Sequence, residues 1–400
     1  MIWHDGSVRV LICPESFTGT LTAVQAAEAM AAGWSRGAPH DDLTLAPLSA
    51  GGSGFLHVLE AALPTVTVAT TVSDPLGRSV PAGVLLVDEG PSRTAYIESA
   101  QAAGLHLLAA DERRPLLTST YGVGQLIDVA LAEGADRIIV GLGGSATNDG
   151  GAGLLGALGA GDESALCRGG GGLADLRPEA LAGLPGLIER FHGVELVAAT
   201  EELLPLLGLQ GTSAVQAPAK GADPVQAQSL EGSLGHLTDV VAAVRPHRTD
   251  LLTGLPRRPE REPGAGAGGG MGYALYLLGA TRESAVEIVQ RAWDFDGLLR
   301  SHDLVITGEG RFDWASLRDS VAAGAAQAAG RLGRPAVVLA GQVQVGRRET
   351  MAAGVAGAYA VAERPADVAR AMADPVGTLA ARAERLARTW SPPPERAAAH

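Results

Sequence analysis

The sequence predicts an α/β protein of two domains built on a largely parallel sheet. Four hundred residues, 46% of them apolar, exceed what one core ordinarily organises at roughly 100 to 200 residues per domain. Glycine is abundant (54 residues) while aromatic residues make up only 4%, which suits tight strand-to-helix turns and close helix-on-sheet packing better than an aromatic-rich sandwich. A buried-strand pattern running into a turn rich in small residues recurs four times, in VRVLICPESFTGT, ADRIIVGLGGSATNDGG, HDLVITGEGRFD and PAVVLAGQV. Junctions of this kind belong to parallel sheets, whose ligands sit beyond the carboxyl ends of the strands.

Taken in order, Val8 to Cys13 is a short β-branched run, followed by the loop PESFTGT and the Ala-rich helical stretch LTAVQAAEAMAAGW. The segment TVTVATTVSDPLGRSVPAGVLLV alternates β-branched residues around a DPLG turn and predicts antiparallel pairing. RTAYIESAQAAGLHLL reads as a strand leading to a helix, and ADRIIVGLGGSATNDGGAGLLGALGA as a strand, a glycine-rich turn and an apolar helix. Residues 245–265 are rich in proline and charge without periodicity, and predict a mobile connection. The closing SPPPERAAAH predicts a disordered tail. No fixed-period repeat suggests a solenoid or a propeller.

The formal net charge of −13 argues against a nucleic-acid or anionic-membrane surface, since either needs a clustered basic footprint. The arginines of RRPERE at 257–262 alternate with their own glutamates and read as a solvated loop. Cys13 and Cys167 lie far apart without metal-ligand spacing, the N-terminus lacks a leader pattern, and no apolar run reaches the ~20 residues a spanning helix needs. A cytoplasmic protein is expected. Lys220 is the only lysine among the 31 basic residues, and arginine does not replace lysine where a compact ammonium is required.

Chemistry concentrates in two turns. In GLGGSATNDGGAG, Gly143, Gly144, Gly150 and Gly151 let backbone approach an anion, while Ser145, Thr147, Asn148 and Asp149 offer hydroxyl, amide and carboxylate groups. A glycine-rich turn with capping residues is the competing reading, and no GKS or GKT follows to make it a Walker loop. In TGEGRFD, Gly308 and Gly310 flank Glu309, with Arg311 and Asp313 after them. Carboxylates alternating with a guanidinium suit Mg²⁺, a hydroxyl nucleophile and a phosphate, and a capped helix entry with a salt bridge is the alternative. PESFTGTL and PLSAGGSG add Ser16, Thr18, Gly19, Ser49, Gly51, Gly52 and Ser53, which serve equally as anion donors or as simple capped turns. The nine histidines show neither HxH nor HExxH spacing, and no nucleophile elbow is present.

The order PESFTGTL, PLSAGGSG, DPLGR, YIESAQAAGLHLL, TSTYGVGQLI, GLGGSATNDGGAG, GTSAVQAPAKGA, GAGAGGGMGYAL and ITGEGRFD resembles the glycerate kinase family from about Val8 to Val343. The resemblance implies a Rossmann-like parallel-sheet domain formed by residues 1–65 and 285–385, with a second α/β domain, 66–284, inserted, and a tail at 386–400. It implies ATP-dependent phosphorylation of a hydroxyl of glycerate or a related small hydroxy acid, with Mg²⁺. Asp149, Glu309 or Asp313 would then contact Mg²⁺ or take the hydroxyl proton, Arg311 would neutralise phosphate charge, and the glycines and small polar residues named above would hold the nucleotide.

Departures from the family pattern fall on charged positions. Glu15 and Thr18 replace the Asp and Lys of P-D-S-F-K-G, and Ala50, Ser53 and Phe55 replace Asp, Glu and Thr of A-D-G-G-E-G-T. Leu203 and Leu204 occupy the second Asp and the Asn of D-x-D-N-P-L. Ala315, Asp319 and Ser320 stand where a Gln and a Gly-Lys pair are usual. Losing a phosphate-stabilising cation costs ~10³-fold or more in comparable transfers, so a degenerate homologue acting as a binding or regulatory protein is the alternative expectation, with altered chemistry on another phosphorylated metabolite as a third.

Overall fold

The computed structural model describes residues 7–245, 254 and 258–391, the side chains of 318 and 319 excepted. Its strands in chain order are β1 (Arg9–Ile12), β2 (Asp42–Leu45), β3 (Val66–Ser73), β4 (Ser79–Glu89), β5 (Ser92–Glu98), β6 (Arg137–Gly141), β7 (Glu195–Ala199), β8 (Thr281–Glu283), β9 (Leu304–Thr307), β10 (Arg311–Phe312), β11 (Ala336–Ala340), β12 (Gln342–Val343) and β13 (Gly357–Ala360). They fall into two compact units. One comprises Met1–Ala50, His57–Leu63 and Val286–His400, the other Gly51–Leu56 and Pro64–Ala285.

The first unit carries a five-stranded sheet of order β13-β11-β9-β1-β2, parallel throughout. Val10, Ile12, Leu304, Ile306, Val337 and Leu339 bury its interior face against Met30 and Trp34 of the helix Ala23–Gly37 and Leu379 and Leu386 of the helix Pro375–Trp390. Those two helices approach backbone to backbone, because a Cβ at Gly33 would run into the Ala380 carbonyl and one at Gly37 into that of Glu384. Thr22 and Gln25 close a reciprocal capping box, Gln25 N to Thr22 Oγ1 at 3.2 Å and Thr22 N to Gln25 Oε1 at 3.0 Å, which fixes where the first helix begins. The closing helix runs to Trp390, five residues into the stretch expected to be a loose tail, because Leu386 and Ala387 are needed in the core. Residues 392–400 lie outside the described residues.

The second unit carries a six-stranded mixed sheet of order β3-β4-β5-β6-β7-β8, antiparallel through β5 and parallel from β5 onward. The DPLG turn makes the β3–β4 hairpin as its sequence predicts, with Asp74 Oδ1 accepting from Leu76 N and Arg78 N at 2.8 and 2.9 Å and Gly77 at φ +82°. Its core joins Val84, Ile97, Val140 and Ala198 of the sheet to Leu126, Leu154, Leu234 and Met271 of the covering helices. Of the connection expected to be mobile, 246–253 and 255–257 lie outside the described residues. Residues 258–265 are tied down, Leu206 N donating to Glu260 O at 3.0 Å and Pro259–Arg261 forming a short 3₁₀ turn. Among the described residues no helix is long and apolar enough to cross a membrane.

Candidate functional site

In the first unit the loops that leave the carboxyl ends of β1, β9 and β11 are stitched together by backbone hydrogen bonds. Glu15 N donates to Gly308 O at 2.8 Å, Gly341 N to Glu309 O at 3.1 Å and Gln342 N to Gly310 O at 3.1 Å. They enclose a pocket of about 510 Å³, a size ordinary for small-molecule sites. Its polar side presents Glu15, Ser16, Thr18, Glu309 and Arg311, and its apolar side Val361, Val368, Met372 and Leu379. Glu309 Oε1 is buried without a hydrogen-bond partner among the described residues. Burial pushes its carboxyl up to about 7, the nearby hydroxyls of Ser316 and Ser320 pull it down, and Asp313 raises it again. Arg311 is exposed and forms no ion pair among the described residues, leaving its guanidinium available to an anion.

Asp313 has other work. Its Oδ1 accepts from Ala315 N at 2.8 Å and Ser316 N at 3.3 Å, while Ser316 Oγ accepts from Asp313 N and donates to Arg311 O, both at 3.1 Å. These bonds hold the turn that enters the short helix Ser316–Asp319, and Asp313 is absent from the pocket lining. Gly308 is required by packing, since a Cβ there would meet the Leu339 carbonyl. Gly19 is required by a turn at φ +82°, with nothing near the position of its missing Cβ. Thr20 closes that turn, Oγ1 to Phe17 O at 2.8 Å.

In the second unit GLGGSATNDGGAG follows β6 directly. Gly141 and Gly143 let two glycine-rich turns lie against each other, since a Cβ on Gly143 would come 2.7 Å from Gly52 N and one on Gly141 2.7 Å from Gly51 O, whereas one on Gly52 would meet only ordinary contacts. Ser145 Oγ and Thr147 Oγ1 share a 2.8 Å hydrogen bond, and Ser145 Oγ donates to Gly268 O at 3.2 Å. Asn148 Nδ2 donates to Ser213 Oγ at 3.0 Å, and its Oδ1 is buried without a partner among the described residues. Asp149 is fully buried: Oδ2 accepts from Thr120 N, Thr120 Oγ1 and Gly153 N at 2.8, 2.9 and 3.2 Å, and Oδ1 from Gly151 N at 3.1 Å. Burial raises its carboxyl above the ordinary value and these four donors oppose that. With both oxygens accepting hydrogen bonds, Asp149 ties Thr120, Gly151 and Gly153 together at the start of the helix Ala152–Ala157.

Three contributors lie in motifs that the sequence offers without placing them at this loop. Glu98 Oε2 accepts from Gly54 N at 3.0 Å and Leu56 N at 3.3 Å, holding PLSAGGSG where it enters the helix Phe55–Ala62. Gly268, Gly269 and Gly270 take positive φ in succession, and Gly150 N donates to Gly269 O at 3.0 Å, so a segment some 120 residues away forms the loop's other wall. Lys220 Nζ donates to Thr147 O at 2.8 Å. None carries a local signal: each contact spans tens of residues.

Residues 10–391 match the family model described as the glycerate kinase family. The chain belongs to the glycerate kinase family. A glycerate kinase of Bacillus subtilis (strain 168) is 38% identical over 341 residues, 84% of this chain and 85% of that one. A glycerate 2-kinase of Escherichia coli (strain K12) is 36% identical, with 84% and 86% covered. A crystal structure of a Salmonella typhimurium LT2 chain assigned as glycerate kinase 2 superimposes with a TM-score of 0.72 at 33% identity, covering 96% of this chain and 98% of that one. Two positions where glycerate kinases usually carry lysine are hydroxyls here with defined surroundings. Thr18 lines the pocket, and Ser320 Oγ caps the helix Val321–Arg331, accepting from Ala323 N at 3.1 Å, within reach of Glu309. Leu203, where the family pattern has an acid, is 58% exposed, so no packing demand accounts for its apolar character.

Proposed function

We propose that this protein phosphorylates a hydroxyl of glycerate or a closely related small hydroxy acid at the expense of ATP. Glu309 carries the reading: a half-buried carboxyl with one unpartnered oxygen, lifted to about 7, on the wall of a pocket that also offers a free guanidinium. A base poised near neutrality is what proton removal from a hydroxyl needs. The substrate oxygen attacks the γ-phosphorus, its proton passes to Glu309, the new O–P bond forms as the bond to the ADP oxygen breaks, and ADP leaves. Arg311 meets charge on the transferred group. The apolar wall from Val361 to Leu379 takes the nucleotide base, and Ser16 and Thr18 face its polar end. The SATNDGG loop of the second unit, taken by itself, offers its glycine-rich backbone and the unpartnered Asn148 Oδ1 to a small hydroxy acid, with Asp149 as a positioning residue.

Among the described residues no group of three or more His, Cys, Asp or Glu could hold a metal by itself. Mg²⁺ asks for less, one or two carboxylates with the rest supplied by phosphate and water, and the Glu15 carboxylate on the pocket's polar side fits that demand. Glu15 would hold the ion, which neutralises β- and γ-phosphate charge when bound. Two free cysteines, Cys13 buried with its thiol pushed up to about 12 and Cys167 half-buried, suit a reducing cytoplasm.

The test is ADP release with ATP, Mg²⁺ and D-glycerate. Wild-type turnover above the enzyme-free rate is expected, and Glu309→Gln should lower kcat ~100-fold or more while nucleotide affinity changes by no more than a few-fold. Turnover indistinguishable from background across small hydroxy acids would sink the reading. Thr18 and Ser320 favour the second one, a binding protein that keeps the pocket without its cations. Calorimetric ATP binding with no turnover, and turnover gained in Thr18→Lys/Ser320→Lys, would establish it.

A further inference from the structure

The chain has a single lysine, and it is buried. Lys220, on the short 3₁₀ turn Pro218–Lys220, is 5% exposed. Its Nζ donates to Thr147 O at 2.8 Å and to Gln216 Oε1 at 3.2 Å. Gln216 is fixed in turn, accepting from Thr212 Oγ1 at 3.1 Å and donating Nε2 to Glu202 Oε2 at 2.7 Å. A buried ammonium costs several kcal/mol in desolvation unless something requires it, and a methylene chain or a glutamine would fill such a site more cheaply.

We propose that Lys220 is the positioning residue of the SATNDGG loop, its ammonium fixing the Thr147 carbonyl from beneath and lending the loop the positive charge with which it holds an anionic, carboxylate-bearing substrate. The peptide that joins Thr147 to Asn148 is planar and trans, so holding its oxygen on one side turns its N–H to the other. The lysine thereby sets the orientation of the peptide next to Ser145, Thr147 and the unsatisfied Asn148 Oδ1. That unsatisfied acceptor is a second, separate sign of a ligand, since buried side-chain oxygens nearly always have a donor; a hydroxy acid brings one in its hydroxyl. The charged groups facing Lys220 are Glu202, after β7, and Asp149, in the loop itself. Both favour the ammonium, burial disfavours it more, and the balance leaves it at about 8. This role rests on the reading of the loop as a hydroxy-acid-binding segment, not on turnover.

Calorimetric titration of the full-length protein with D-glycerate and separately with tripolyphosphate, from pH 6.5 to 9.5, tests it. Wild-type affinity should fall at least 10-fold as pH rises through about 8. Lys220→Met should bind at least 10-fold more weakly at pH 7 with no pH dependence there, at unchanged circular dichroism. Lys220→Arg, charged throughout, should lose the alkaline fall, and where Lys220→Met proves unfolded this variant and the wild-type profile decide. Unaltered affinity in a folded Lys220→Met, or an alkaline fall that survives Lys220→Arg, overturns the proposal. Lys220-dependent binding without any ADP release would support it while removing the kinase reading.

Discussion

Glu309 is unusual for what is missing around it. A lysine at 320, as glycerate kinases usually have, would sit beside the carboxyl and hold it ionised through the acid range; the serine here offers only a hydroxyl, and burial wins. Two outcomes follow. The rate should rise with pH through about 7 as Glu309 loses its proton, read as the acid limb of kcat/KM against pH. Ser320→Lys should shift that limb to lower pH by about one unit or more, because an opposite charge at that range favours the ionised form; an unmoved limb would assign the titration to another group. The sequence singled out Glu309, Arg311 and Asp313 together, because all three follow one strand. It could not divide them: which carboxylate accepts from the N–H groups of the helix-entry turn and which keeps an unpartnered oxygen depends on Ser316 and on burial, and neither is a property of spacing.

At the scale of elements, glycines read as points of ligand approach are in good part points where backbone meets backbone. The GGG of 268–270 packs on the TNDGG turn, and a Cβ at Gly269 would run into the Thr147 carbonyl at a residue with φ +75°. Gly193 has φ +92° and open space around it. Gly193→Ala should therefore cost only the left-handed strain, about 1 to 2 kcal/mol, and Gly269→Ala more than twice as much, both measured by urea unfolding; equal costs would mean that the turn yields easily. The strand-turn-helix units were legible because their periodicity and turn chemistry are local. The pairing of turns at 51–54 with 141–144, and of 147–150 with 268–270, was not, because a glycine does not reveal in sequence what lies against it.

For the molecule as a whole, length and apolar content pointed to two cores, and each unit has its own. The first is assembled from both ends of the chain, an arrangement suggested by the resemblance and not by composition. Two ionisable groups, Glu309 in the first unit and Lys220 in the second, make stability depend on pH in opposite directions. Glu309 binds its proton more tightly folded than unfolded, so its contribution is full below 4.5 and is lost as pH rises through about 7. Lys220 binds its proton less tightly folded, so its contribution is full above 10.5 and is lost as pH falls through about 8. Relative to Glu309→Gln, wild-type unfolding free energy should decline by ~2 kcal/mol between pH 4.5 and 7; relative to Lys220→Met it should climb between pH 8 and 10. Parallel curves would deny either group its burial.

A chain with a single, sheltered lysine also has no side-chain amine to offer a reagent. Acylating labels and amine cross-linkers should find only the α-amino group, and a lysine-specific protease has one peptide bond to cut, after Lys220. Its two fragments would accumulate only as fast as the turn beneath the SATNDGG loop comes apart. The rate of that one cleavage is a clock for the opening of the loop, and a ligand seated there should slow it.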